Sequence, residues 1–97
     1  MRAVQFVAEA EEELQRASRI YEMRRKGLGR EFLLEVRDLV SRIIQHPEAS
    51  RSILPGVRKA GVRRFPYDLI YRVTPDRIEV IAVMHQRRAP GYWMERL

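Results

Sequence analysis

The hydrophobic period of this chain is helical over most of its first half and two over its second, and that change constrains its fold more than any other feature. Ala10, Leu14, Ala17 and Tyr21 recur at i, i+4, i+7 and i+11, which puts them on one helical face. Phe32, Val36, Leu39, Val40 and Ile43 do the same further on. After "EASRSILPG", residues 48–56, the spacing drops to two. "YDLIYRV" sets Tyr67, Leu69, Tyr71 and Val73 on one face of a strand. Helical period followed by strand period calls for helices lying on a sheet.

Punctuation sharpens the reading. Glu9, Glu11, Glu12 and Glu13 open the first helix, and Arg24, Arg25 and Lys26 close it, the order that the helix dipole favours. Gly27 stops it, so a helix is expected over about 8–26. Pro47 ends the second. The link around Gly27-Leu28-Gly29 is short enough to force a helical hairpin. "RAVQFV", residues 2–7, alternates weakly and reads as a first strand. "VRKAGVRRF", "YDLIYRV" and "RIEVIAVMH" supply three more, the last apolar on both faces and therefore central. Thr74-Pro75-Asp76-Arg77 joins the last two as a hairpin, and 48–56 reads as loop. The expectation is a single α+β domain over 1–97 in two layers, in the order β-αα-βββ, its N-terminal helical hairpin packed on a small antiparallel sheet.

Charge is unevenly divided. The net charge is +6. Residues 1–50 hold nine Lys/Arg and nine Asp/Glu, whereas residues 51–97 hold ten and four. A basic second half implies an anionic partner, although a merely solvated surface gives the same composition. There is no cysteine, which excludes a disulfide scaffold and a thiolate metal site. His46 and His85 stand far apart with no motif-spaced carboxylates, and no glycine-rich phosphate loop is present, so neither a metal nor a cofactor is expected. No apolar run reaches membrane-spanning length, and acids follow "MRAVQFV" too soon for a signal peptide. A cytoplasmic protein is the expectation.

The candidate site residues are basic and aromatic. Arg58, Lys59, Arg63 and Arg64 are placed on the first late strand, Arg72 on the second, and Arg87 and Arg88 at the end of the third. Burying cations unpaired under the helices costs several kcal/mol each, so they are expected on the outer face or rim of the sheet. Arg58, Arg63, Arg72 and Arg88 are the candidate target-binding cations, with Trp93 as a stacking platform beside them. Tyr92 and Trp93 have a second reading, in which they fold back and shield the sheet. His85 reads either as a base kept neutral by its arginine neighbours or as a hydrogen-bonded strand end.

The pattern "LGREFLLEV…IIQHPE…VRKAGVRRFPYDLIYRV…IEVIAVMHQRRAPGYW" resembles the RelE/ParE superfamily of toxins from bacterial type II toxin–antitoxin pairs. It looks closest to the ParE-like, plasmid-stabilisation branch. The resemblance spans nearly the whole chain, and "RRFPYDLIYRV" and "AVMHQRRAPGYW" are its most specific parts. It implies a helical hairpin on an antiparallel sheet, and a cognate acidic antitoxin that forms a hetero-oligomer with the toxin. Tyr21, Phe32 and Leu33 are candidate antitoxin anchors, or else core. ParE-like members inhibit DNA gyrase, whereas RelE-like members cut messenger RNA on the ribosome with a cation cluster and a tyrosine. If the chain is RelE-like, Lys59, Arg64, His85, Arg87 and Tyr92 are its catalytic candidates. Carried over along "YDLIY", the central ribonuclease arginine falls on Asp68, a strand lysine on Gly61 and the last arginine on Gln86, where a one-residue slip to the adjacent Arg87 restores it; Lys59 and Tyr92 match directly. The implied function is therefore gyrase inhibition without enzymatic activity, ahead of ribosome-dependent endoribonuclease activity. A non-toxic nucleic-acid-binding module is the third reading.

Overall fold

The computed structural model describes residues 2–97. Two helices pack on one face of a five-stranded sheet. In chain order the elements are β1 (Ala3–Phe6), α1 (Ala8–Arg24), α2 (Leu28–Gln45), β2 (Arg51–Leu54), β3 (Val57–Gly61), β4 (Tyr67–Val73) and β5 (Arg77–His85), followed by one 3₁₀ turn over Met94–Arg96. The sheet order is β1-β5-β4-β3-β2.

The α+β, two-layer reading holds, with three corrections. First, the sheet is mixed: β1 runs parallel to β5, pairing Ala3 with Arg77 through Phe6 with Val80. The helical hairpin carries the chain from β1 at one edge of the sheet to β2 at the other, and the antiparallel run back through β3 and β4 brings β5 in beside β1, the long connection that a parallel pair requires. Second, residues 51–54 form an edge strand where a loop is expected. Pro55 and Gly56 make a two-residue turn, Gly56 has φ +75, and Leu54 faces Val57 across it. Third, α1 ends at Arg24, and β3 ends at Gly61, so Arg63 and Arg64 lie in the turn before β4.

The helical faces are those read from spacing. α1 buries Ala10, Leu14, Ala17 and Tyr21, and α2 buries Phe32, Val36, Leu39 and Ile43 together with Gly29. Gly29 is needed where the helices meet, since a Cβ there would stand 2.5 Å from the Ser18 carbonyl oxygen. Glu22 completes the hairpin: its carboxylate accepts from the backbone N–H groups of Gly27 and Gly29 at 2.9 and 3.0 Å, two of the orphan donors at the start of α2. Against these helices the sheet sets Ala60, Leu69, Tyr71, Ile78, Val80 and Val83. Tyr21, Phe32, Phe65 and Tyr67 stack edge-to-face or tilted, with ring centroids 4.9–6.1 Å apart.

The outer face has its own smaller core of Val57, Ile70, Ile81, Ala82, Met84 and Trp93. Ile81 and Ala82 both turn outward because β5 bulges opposite Ile70/Tyr71. The C-terminal segment, folded back from β5, covers this core with Tyr92 and Trp93.

Candidate functional site

The partners of the cations decide which of them can act. Arg58 does not reach the outer face: it pairs with Tyr71 in register and donates to the Glu48 and Ser50 carbonyls at 3.0 and 2.6 Å, tying down the loop after α2. Arg64 has a left-handed backbone (φ 69), and its guanidinium turns toward α2, 2.9 Å from Glu31 and 3.7 Å from Glu35. Arg25 holds Glu31 from the other side, and the two arginines draw that carboxyl down to about 2, Arg25 contributing most. Arg72 lies on the outer face, 2.6 Å from Glu79, which also pairs with Arg77 at 3.0 Å. So a single-sided sheet of free cations does not form. Arg58, Arg64 and Arg72 are each engaged by the chain itself.

Five cations of the second half are free. Among the described residues, Arg51, Lys59, Arg63, Arg87 and Arg88 make no ion pair and no side-chain hydrogen bond. Lys59 and Arg51 are cross-strand partners, and Lys59 shares the outer face with Ile70. Arg63 is exposed in the turn before β4. Arg87 and Arg88 are exposed just past β5, at the same end of the sheet. Arg88 stacks 3.9 Å from the centroid of the Tyr92 ring.

The aromatic candidates are committed to packing. Trp93 is only 3% exposed and belongs to the outer core, so it is no free stacking platform. Phe32 is fully enclosed and Tyr21 is buried in the aromatic cluster, because both lie on the helix faces that close over the sheet. Of the three anchor candidates only Leu33 is partly exposed. His85 has its Nδ1 occupied by the Arg87 N–H at 3.0 Å and its ring against Tyr67, which makes it a hydrogen-bonded strand end.

Spacing alone could not reveal the most connected group. Glu13 reaches from α1 to the far edge of β5. It accepts from the Val83 N–H (3.0 Å), the Tyr92 hydroxyl (2.6 Å) and both Arg96 nitrogens (2.8 and 3.0 Å). Arg96 also donates to the Ile81 carbonyl at 3.0 Å. β1 pairs with β5 only as far as Val80, so Ile81 and Val83 offer unpaired edge groups. The Glu13–Arg96 pair satisfies both, standing in for a missing strand. Burial alone would raise the Glu13 carboxyl, but hydrogen bonds from Arg96, Tyr92 and Val83 outweigh it and hold it below the ordinary carboxylate value. Burial and then the neighbouring Glu13 push the Tyr92 hydroxyl up, so it stays protonated.

The residues assigned to RNA cleavage by the RelE-like resemblance face a different chemistry here. Gly61 and Asp68 are register partners on the outer face. The Gln86 amide donates to the Asp68 carboxylate at 3.3 Å. Where a ribonuclease would gather cations on a phosphate, this chain has a buried carboxylate held by an amide. Lys59 remains on that face, but Tyr92 is bonded to Glu13.

The whole is a small basic α+β domain, with a helical hairpin on one side of the sheet and a folded-back tail on the other. The P. aeruginosa chromosomal ParDE toxin–antitoxin system contains a chain that superposes on this one with a TM-score of 0.75, at 19% identity, over 88% of this chain and 96% of that one. The family model for the ParE toxin of the type II toxin–antitoxin system, parDE, matches residues 4–90. The chain therefore belongs to the ParE toxin family. No match is found among curated proteins. No helix among the described residues is long and apolar enough to cross a membrane.

Proposed function

We propose that this chain is the toxin of a toxin–antitoxin pair, silenced by an acidic antitoxin in a hetero-oligomer, and that it arrests growth by binding DNA gyrase. One observation carries the choice of a binding inhibitor over a ribonuclease: the Asp68–Gln86 hydrogen bond, which occupies the positions where RNA cleavage needs cations. A carboxylate there repels a phosphate. The family match supports the toxin role and, with it, an antitoxin partner. The free cations Arg51, Lys59, Arg63, Arg87 and Arg88 support an acidic partner, whose charge would speed association.

Expression without antitoxin should stop growth and induce a DNA-damage response, and purified toxin should inhibit gyrase supercoiling. Arg87→Ala should keep that inhibition within about twofold, the scale of a lost surface contact, and so should Tyr92→Phe, whose lost hydroxyl bonds Glu13 inside the fold and not a target. Normal supercoiling at toxin excess would sink the gyrase reading. Message cleavage in a translating extract, abolished by those two substitutions, would establish the ribonuclease in its place.

A further inference from the structure

The outer face carries a feature that toxin identity does not explain. Ile53 and Leu54 of β2, Ile70 of β4 and Met84 of β5 stand opposite Trp93 and Met94 of the returning tail, with Pro90 and Gly91 closing one side. Between them is a slot of about 210 Å³, mainly apolar, with Lys59 on its wall. It is smaller than the roughly 300–1,000 Å³ of small-molecule sites and has room for one or two side chains.

Charge selects what enters. Lys59 is free, and its cross-strand neighbour Arg51 is free and exposed. The acids of this face are already used: Glu79 is held by Arg72 and Arg77, and Asp68 accepts from Gln86. Glu95 is the one acid of the segment over 86–97, which also brings Arg87, Arg88 and Arg96. An apolar slot beside two unneutralised cations complements a carboxylate next to a large apolar side chain.

We propose that this slot docks an acidic peptide segment of a partner protein, with one Leu, Ile, Met or Phe inserted between Ile70 and Trp93 and the flanking carboxylates on Lys59 and Arg51. The peptide chemistry is read from the slot; only its assignment to the antitoxin rests on the proposed function. Lys59 is part of the binding wall and Arg51 its outer rim. The β2 edge leaves room for an extended segment to lie alongside, since among the described residues no strand pairs with its far side.

Trp93 is the only tryptophan, so its emission reports the slot directly. The experiment titrates the full chain with a panel of short blocked acidic peptides, each with one Leu, Ile, Met or Phe among Asp and Glu. At least one peptide should shift Trp93 emission saturably. Replacing its apolar residue by Ser should weaken binding roughly tenfold, the scale of one buried side chain. Combining Arg51→Glu with Lys59→Glu should weaken it by about tenfold or more, and added salt should weaken it in the parent protein. Circular dichroism of that double variant should match the parent, since neither residue packs in a core. No saturable shift with any peptide would overturn the proposal, as would equal binding by the charge-reversed variant or indifference to the Ser replacement. A single-stranded oligonucleotide that shifts Trp93 and displaces the peptides would also overturn it, in favour of a nucleic-acid site. None of these readouts needs gyrase or growth arrest, so failure of the slot and failure of the toxin mechanism show up separately.

Discussion

Two helices of 17 and 18 residues cover one face of the sheet, and the last few residues of the chain cover the other. The helix side is closed mainly by shape: four aromatic rings and a run of aliphatic side chains interlock, with polar contacts such as Arg64–Glu31 at its rim. The outer side is closed by anchors. Trp93 plugs the apolar centre, Arg96 is clamped by Glu13, and Arg72 donates to the Leu97 carbonyl at 3.5 Å. A short segment cannot bury enough surface to stay docked by hydrophobic contact alone, so hydrogen bonds to charged groups make up the difference. The helix face therefore supplies stability, and the outer face supplies an incompletely filled, chargeable surface.

The largest expected effect tests the shape-closed side. Phe32→Ala should destabilise the whole domain by about 3–5 kcal/mol, read as a shift in denaturant midpoint. Trp93→Ala should cost less in global stability, about 2–3 kcal/mol, because the tail can detach while the sheet remains. Its distinctive sign should be faster hydrogen exchange at the Val83 amide. Equal global losses for the two variants would erase the distinction between the faces.

Next in size is the clamp. Glu13→Gln should cost about 1.5–3 kcal/mol, the scale of hydrogen bonds to a charged group, and should also free the Val83 amide to exchange. The same carboxylate gives a pH signature. Its folded value lies below the ordinary one, so its stabilisation is full above the carboxylate range and is lost as pH falls below about 4.3. The parent should lose stability on acidification through that window, and Glu13→Gln should lose less. Parallel acid profiles for the two proteins would remove Glu13 from the account. The smallest expected effect is at the free cations: Arg51→Ala and Lys59→Ala should each change stability by no more than about 0.5 kcal/mol, since neither has a partner to lose.

The helical hairpin was legible because each helix buries a regular stripe; Ala10, Leu14, Ala17 and Tyr21 are the residues that spacing selects. The β4–β5 hairpin was legible for the same reason, and the Thr74 N–H donating to the Arg77 carbonyl at 2.8 Å closes it. β2 was hidden by its shortness and by Arg51 and Ser52, yet the Pro55-Gly56 turn was a usable signal. The pairing of β1 left none: parallel addition to β5 depends on how the hairpin crosses the sheet, not on the alternation in "AVQF". For the candidate site, the residue types were right and most partnerships were out of reach. Arg64 looks like a free strand cation until its left-handed turn aims it at Glu31 and Glu35, 33 and 29 residues away along the chain.

What the sequence determined by itself is local: the two periods, the stops at Gly27 and Pro47, the surplus of cations after residue 50, and the family pattern. Each is set by neighbours within a few positions, where backbone geometry alone decides which side chains share a face. The tertiary structure decided which cations remain free and which residues close the outer face. Glu13 meets Val83 and Arg96 across 70 and 83 residues, and no periodicity encodes such a meeting. It follows from packing α1 on the sheet and folding the tail behind it, where a buried edge must find hydrogen-bond partners.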